Sequence, residues 1–554
     1  MKLSSYIVIQ KIKKGYVIFS TISKTIIEVN EDFYKELINI QDLDIDKLKY
    51  IDTMTSLKNR AYLNLKIKEW DDNVIYPQAF VIIDLNNIKD INDSHGHEEG
   101  DKAIKTLAHI IKKHENKNMR LYRIGGDEFM IVCFNMYKSN IRKIAFIIIA
   151  LCLFIQVFLI ISFGDYKQLS DYGEYIRLAQ GCLDRKSWYP DSANMYDSYI
   201  FAPGLVNYFI LQMKLFGTMS VNLWLNLMLN LGIIYFVYGI ANKLFNKTTA
   251  YISVIAYSLL YSTWWVVIPA GTEVPFLFLS LLGLWAVVNQ KSIGYILLAG
   301  VAFGLANWIR PLVVIFLITA LVMMYMSKVK ISKYISLAIG FVFVLVLIGT
   351  ASYKSTNRVI LQSSTSGVNL AYTSNDKAYG GVASSLLSDT TNLCYIKNAN
   401  SYTYAQKDSI WKARSIEWIK DHPVKFAGLY AIKIPGLFAE DTWPDRAVLP
   451  GAGFIDKFAH GQISLLEFIG RVLLLVSKSI VFYIICIVFL IGLWTKRKDI
   501  LTSKGIILIP VFLGIAITCI FSVSPRYHYP FLFAMVIWAA YAFDYYLSKK
   551  GDKK

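Results

Sequence analysis

Twenty consecutive residues, Ile144–Phe163, carry no charged side chain. A helix of that length reaches ~30 Å, the thickness of a bilayer's hydrocarbon core. Further apolar runs follow at Val221–Asn242, Thr248–Ile268, Gly271–Asn289, Gly294–Ile309, Pro311–Ser327, Ile335–Tyr353, Ser479–Thr495, Lys504–Val523 and Tyr527–Leu547. The expected fold is a polytopic α-helical membrane protein of about ten spans. Ile200–Phe216 is apolar too, but holds Pro203, Gly204 and Lys214. It reads as an interfacial or re-entrant segment.

Basic residues orient these spans. Lys138, Arg142 and Lys143 precede the first one, which places the preceding residues in the cytosol. With alternation, Lys243 and Lys247, then Lys291, then Lys328, Lys330 and Lys333, then Lys496, Arg497 and Lys498, and finally Lys549, Lys550, Lys553 and Lys554 fall on that same side. Both termini are therefore expected to be cytoplasmic. The formal net charge of +18 is explained by these loops, so no nucleic-acid partner is expected. Met1–Gly15 has four lysines and no long apolar core, which argues against a signal peptide. The expected divisions are a β-rich segment 1–50, a cytosolic α/β domain 51–136 and a membrane domain 141–554. The last carries outer regions at about 164–220 and 354–478.

Six cysteines occur without a CxxC pair, so no zinc site is expected. Cys182 and Cys394 both fall in outer regions, where a disulfide between them is one option.

Four charged residues are expected at the outer membrane boundary. Asp171 lies just beyond the first span, with Asp165, Glu174, Asp184 and Asp191 nearby. Glu273 opens the fourth span, Arg310-Pro311 divides the fifth from the sixth, and Arg526 opens the last. A charge near hydrocarbon must be paired or wet. Singly, each reads as helix-end anchoring. Together they suit a reaction: a carboxylate can take a proton from an attacking hydroxyl, and an arginine fork can hold a phosphate.

Around these residues stand Asp171 with Tyr175 and Ala179, then Ala202-Pro203-Gly204-Leu205, Glu273-Val274-Pro275-Phe276, and Gly304-Leu305-Ala306 with Arg310-Pro311. Ser366-Gly367-Val368-Asn369-Leu370, Asn375 with Gly380, His422-Pro423 with Phe426 and Lys433, and Arg526-Tyr527-His528 follow. In this order the chain from about Lys143 to Leu547 resembles the multi-pass GT-C glycosyltransferases that use lipid-phosphosugars. The lipid A aminoarabinose transferase and protein O-mannosyltransferase type are the nearest in pattern. The resemblance implies inverting transfer of a sugar from a polyprenyl-phosphate donor to an acceptor on the outer face. It implies Asp171 as the catalytic acidic residue, with Glu273 on the acceptor side and Arg310 and Arg526 on the donor phosphate. Such enzymes often pair the first-loop Asp with a Glu. Tyr172 stands in that place, which leaves metal dependence open.

The cytosolic part has its own pattern. Gln78–Leu85 reads as a buried strand, Asn92–Asp101 as a loop rich in turn and capping residues, and Asp101–Lys113 as a helix with Ile104, Leu107, Ala108 and Ile111 on one face. Gly125-Gly126 makes a tight turn beside the carboxylates Asp127 and Glu128. Asp84 ends a strand, where a carboxylate can hold a metal ion near phosphates. Asp52–Arg60, Asp84 to Asp93, Gly96-His97 with Gly100-Asp101, and Arg123 with Gly125-Gly126-Asp127-Glu128-Phe129 resemble the GGDEF domain of diguanylate cyclases. The resemblance implies Mg2+ held by Asp84 and Asp127 with the Leu85 carbonyl. It implies guanine read by Asn92 and Asp101, phosphates met by Lys89 and Gly126, and Glu128 nearest the chemistry. GTP or cyclic di-GMP is the implied ligand, and a homodimer the implied assembly of a working cyclase.

Departures are visible as well. Asn86 stands where the family has a second Asp. Asn116 and Met119 stand where an inhibitory product site would need Arg and Asp. After Asn135 the chain passes directly to Lys138 and the membrane, so the family's closing helix, strand and helix are missing and the sheet should keep an unpaired edge. The N-terminal runs Tyr6–Gln10, Tyr16–Ser20 and Thr25–Val29 are β-like, and Asp32–Ile40 reads as a short helix. Three functional readings follow: a membrane glycosyltransferase with a regulatory or vestigial appendage, a membrane-anchored diguanylate cyclase or nucleotide sensor, and a transporter. The transporter lacks the inverted repeats and paired broken helices that fold class needs.

Overall fold

The computed structural model describes residues 7–12, 15–20, 26–29, 50–72, 79–85, 88–113, 115, 119–133, 138–189, 202–363, 365–381, 384–449, 457–458 and 461–551. Two compact units result, Met1–Ile147 and Ile148–Lys554.

In the first unit β1 (Ile7–Ile12), β2 (Gly15–Ser20) and β3 (Ile26–Val29) form an antiparallel sheet in chain order. The expected helix Asp32–Ile40 lies outside the described residues. A separate four-stranded sheet runs β4 (Lys58–Asn59), β6 (Met119–Arg123), β7 (Glu128–Cys133), β5 (Ala79–Asp84). β4 is parallel to β6, and the other neighbours are antiparallel. The period of two is clear along β5: Val81 and Ile83 are buried, whereas Phe80 and Ile82 are exposed. Helix Arg60–Asp72 covers one face of the β6–β7 hairpin, where Leu63 and Trp70 pack with Tyr122 and Val132.

The loop expected over Asn92–Asp101 is instead mostly helical. Ile88–His95 forms one helix and His97–Lys112 the next. Only Gly96 breaks them, at φ +89°, a conformation glycine adopts without strain. The capping-type residues Asn92, Asp93 and Ser94 end the first helix rather than forming a loop. The second helix buries Gly100, Ile104, Leu107, Ala108 and Ile111 at helical spacing.

Among the described residues four helices are long and apolar enough to cross a bilayer: Ile141–Phe163, Val221–Leu244, Ile331–Thr356 and Pro525–Leu547. Leu465–Lys478 and Ile480–Thr495 meet at 60° and together make a fifth. Glu273–Asn289, Ile293–Ile309, Val313–Met326 and Ser503–Thr518 are apolar but shorter. Among the described residues, length and composition alone thus give four or five candidate crossings, with the shorter apolar helices left out of that count. Pro203–Phe216 is a helix of 14 residues.

One expected span is broken. Thr248–Ile268 divides into Lys247–Ser258 and Tyr261–Trp265, and Pro269 and Gly271 follow. Non-helical backbone inside an apolar protein needs hydrogen-bond partners, and neighbouring carboxamides supply them. Gln156 and Asn230 donate to the Thr263 carbonyl at 2.7 and 3.3 Å. Asn226 donates to the carbonyls of Val267 and Pro269 at 3.2 and 3.1 Å. Gln168 donates to Ile268 O and accepts from Ala270 N, both at 3.1 Å.

Elsewhere the helices pack closely because glycines let them. A Cβ at Gly300 would meet Leu337 O, and one at Gly340 would meet Leu297 O, both well inside contact distance. Helices Ile293–Ile309 and Ile331–Thr356 thus cross backbone to backbone, as small residues permit in membrane proteins. The main core gathers Phe276, Phe303, Phe316, Phe482, Tyr529, Phe533 and Trp538, all buried.

None of the six cysteines is in a disulfide, so Cys182 and Cys394 are not bonded to each other. The Cys394 thiol donates instead to Ala371 O at 3.0 Å, inside a small core with Val368, Leu386, Tyr404 and Trp411. Cys182 is buried in helix Ser170–Asp184.

Candidate active site at four helix ends

Asp171 and Glu273 each occupy the first turn of a helix, Ser170–Asp184 and Glu273–Asn289. Arg310 follows the last residue of helix Ile293–Ile309. Acids at a helix start and a base at a helix end are each favoured by the local dipole. Arg526 lies in the turn Pro525–His528, just before the last helix, Tyr529–Gly551.

The fold brings these four residues together. Arg526 Nη2 is 2.7 Å from Asp171 Oδ2, and Arg310 Nη1 is 3.4 Å from Glu273 Oε1. Tyr527 links the pairs: its ring centroid is 5.4 Å from the Arg310 guanidinium carbon and 5.3 Å from that of Arg526. The two pairs differ in exposure. Side-chain accessibilities are 21% and 39% for Arg526 and Asp171, against 14% and 4% for Arg310 and Glu273. Arg310 Nη1 is buried without a hydrogen-bond partner among the described residues. Tyr172 closes the site beside Glu273, since a side chain at Gly271 would strike both. Burial pushes the phenols of Tyr172 and Tyr175 up; the Glu273 carboxylate adds to the shift of Tyr172 and the Asp171 carboxylate to that of Tyr175.

Nearby acids behave differently. Glu174 pairs with Arg177, and Asp184 accepts from Gln180 at 3.0 Å. Asp191 lies outside the described residues.

A second polar cluster escaped the sequence reading. Asp441 accepts from Ser262 N at 3.0 Å, and its other oxygen is 3.3 Å from His528 Nε2. Nδ1 of His528 lies 3.0 Å from Leu437 O and must carry a proton to bond that carbonyl. Asp445 accepts from Tyr261 at 2.8 Å and pairs with Lys478 at 3.2 Å. Glu440 pairs with Arg446. Leu169 N donates to Ala447 O at 2.7 Å. This clamp ties the start of the Asp171 helix, the broken segment and the last helix to one loop. Its signal in sequence was the acid-rich run Glu440-Asp441-Thr442-Trp443-Pro444-Asp445-Arg446.

Lys433 is fully buried, with its ammonium 2.9 Å from Cys519 O and near the rings of Phe426 and Tyr430. Burial lowers its pKa to about 8.

In the first unit Asp84 pairs in register with Glu128 across β5 and β7. Burial, then the charges of Asp127 and Glu128, push the Asp84 carboxyl up to about 6. Such crowding is what a divalent cation relieves, so these residues fit one. Leu85 N donates to Asp127 O at 3.2 Å, which places the Leu85 backbone at the same spot. Arg123 wraps the Gly125-Gly126 turn, donating to Gly126 O at 2.6 and 3.2 Å and to Asp52 at 2.9 Å. Space beside Gly126 is open, whereas a side chain at Gly125 would strike Glu128. Asn92 packs its side chain against Gly100, next to Asp101, and Lys89 stands exposed one helical turn before Asn92. Asn86 and Asn116 lie outside the described residues. Among the described residues no group of three or more His, Cys, Asp and Glu is arranged around one metal position.

Residues 49–152 match the family model described as diguanylate cyclase, GGDEF domain. Residues 202–353 match that described as dolichyl-phosphate-mannose-protein mannosyltransferase. The probable diguanylate cyclase DgcJ of Escherichia coli is 39% identical over 84 residues, which are 15% of this chain and 17% of that protein. The chain thus spans about a sixth of that relative's length. Among solved structures, ArnT of Cupriavidus metallidurans bound to undecaprenyl phosphate is 10% identical with a TM-score of 0.33, covering 71% of this chain and 76% of that one. The Archaeoglobus fulgidus oligosaccharyltransferase, in complex with Zn and sulfate, is 14% identical with a TM-score of 0.38, covering 73% and 49%. Residues 49–152 thus match one family model and residues 202–353 another, each over less than a third of the chain.

Proposed function

We propose that the protein is an integral membrane glycosyltransferase. It moves a sugar from a polyprenyl-phosphate donor to an acceptor on the extracytoplasmic face. The observation that carries this reading is the meeting of Asp171–Arg526 and Glu273–Arg310 around Tyr527. The match of residues 202–353 to a family named for a lipid-phosphate sugar supports it. The shorter apolar helices are read as further crossings, so the chain is multi-pass with cytoplasmic termini.

In this reading the acceptor hydroxyl oxygen attacks the anomeric carbon opposite the phosphate, and configuration inverts. Asp171 takes the hydroxyl proton. The anomeric carbon–oxygen bond breaks, and the electron pair leaves on the lipid phosphate, whose growing charge Arg526 and Arg310 neutralise. Glu273, held by Arg310, lines the acceptor side. The test is consumption of polyprenyl-phosphate sugars by the purified full-length protein in lipid vesicles. No consumption across hexose, aminosugar and pentose donors would overturn the assignment.

A second reading concerns the GGDEF domain. The crowding of Asp84, Asp127 and Glu128 favours a site for Mg2+ with GTP or cyclic di-GMP. Asp84 and Asp127 would hold the ion, which when bound neutralises phosphate charge. Asn92 and Asp101 would meet guanine, and Lys89 and Gly126 the phosphates. With the family's closing elements absent, we assign this domain a regulatory binding role rather than cyclase turnover.

A further inference from the structure

We infer that Arg526 is shared between Asp171 and the donor phosphate, so that donor binding is what frees Asp171 to act as a base. This rests on the sugar-transfer reading above and adds an order of binding to it.

The Nη2 atom of Arg526 that would meet a phosphate oxygen is the one 2.7 Å from Asp171 Oδ2. A carboxylate held in that way has its basic lone pair turned toward a permanent cation. That oxygen, Oδ2, is then already engaged and faces Arg526 rather than an incoming hydroxyl. The donor's phosphodiester matches a carboxylate in charge and in its two free oxygens, so it can take the same guanidinium fork, and the monoester that leaves gains a second charge there.

Exposure decides which of the two pairs gives way. Asp171 and Arg526 are 39% and 21% accessible, and partly solvated pairs open readily. Glu273 and Arg310 are 4% and 14% accessible, and separating buried charges is far harder. Arg310 keeps its pair with Glu273 through Nη1, at 3.4 Å. An arriving phosphate therefore displaces Asp171 from Arg526 and leaves the Glu273–Arg310 pair closed. Tyr527, with both guanidinium carbons within 5.4 Å of its ring centroid, keeps the two cations near one spot. The freed Asp171 oxygen then accepts the proton of the acceptor hydroxyl as the anomeric bond to phosphate breaks. Donor binds first, and acceptor is activated second.

The experiment measures binding of undecaprenyl phosphate to the purified full-length protein. Removing the competitor should strengthen binding. Asp171→Ala and Asp171→Asn should each bind roughly three- to tenfold more tightly than the unaltered protein, as expected for loss of a partly exposed pair. Arg526→Gln should bind at least about tenfold more weakly, and the double variant should behave as Arg526→Gln alone. Equal or weaker binding by both Asp171 variants would overturn the inference. A second measurement needs no variant: carbodiimide labelling of Asp171, read by mass spectrometry, should rise when undecaprenyl phosphate is added. A fall would overturn the exchange. Unchanged binding by both Asp171 variants with abolished transfer would remove the exchange but leave the sugar-transfer reading. Failure of the unaltered protein to bind the lipid phosphate would remove both.

Discussion

Arg526 and Asp171, 355 positions apart in the chain, meet at 2.7 Å. The contact joins the first helix beyond the first span to the turn that opens the last one. It makes the site a closure of the whole membrane unit rather than a property of one segment. A change at either end should therefore be felt in chemistry more than in folding. Arg526→Lys keeps the charge but loses the planar fork. We expect it to lower sugar transfer by at least about tenfold with little change in the thermal midpoint, checked by donor consumption and a melting curve on the same sample.

The buried pair should behave in the opposite way. Glu273→Gln leaves the Arg310 guanidinium uncompensated in a largely dry site and should destabilise the protein by about 3 kcal/mol. Pairing it with Arg310→Met should recover most of that loss while leaving transfer low. Thermal unfolding of the single and double variants in detergent gives the comparison.

Helix crossing is a third target. Gly300 and Gly340 face each other's helices with no room for a Cβ. Gly300→Val should push Ile293–Ile309 away from Ile331–Thr356 and cost on the order of 1–3 kcal/mol. The same substitution at the exposed Gly470, where nothing lies within 4 Å of a Cβ, should be nearly neutral by the same assay.

Much of this was legible in the sequence, and for identifiable reasons. Asp171, Glu273, Arg310 and Arg526 stand out because charge beside long apolar runs is costly, so each must have a use. Their meeting was legible only through sidedness. The break between Ser258 and Tyr261 was not legible, because the run around it holds no charge, proline or glycine. What stabilises the break is Gln156, Gln168, Asn226 and Asn230 on other segments. The Asp441–His528 clamp was hidden for the same reason: its partners lie far apart in the chain. In the cytosolic unit, Asn92-Asp93-Ser94 suggested a loop, yet one glycine was enough to separate two helices.

Asp84 gives a pH prediction. Its folded pKa is raised to about 6, above the ordinary carboxylate value. For a raised group, stability is fully present below the unfolded pKa and is lost as pH rises through the folded one. The unit that holds the four-stranded sheet should therefore lose stability between about pH 4 and 6 on this account, by a modest amount because Asp84 is about half solvated. Asp84→Asn should remove that loss, and Mg2+ should stabilise the unaltered protein above pH 6 but not the variant. Hydrogen exchange of β5 and β7 in the full chain reads both effects.

The central claim is that sugar chemistry belongs to the membrane unit and turns on Asp171. Its most direct test compares the rate of polyprenyl-phosphate sugar consumption in the unaltered protein, Asp171→Asn and Asp127→Ala, all full length. The account predicts a loss of about 100-fold or more for Asp171→Asn, as expected for a lost general base, with catalysis persisting in Asp127→Ala. Equal rates in Asp171→Asn and the unaltered protein would contradict it.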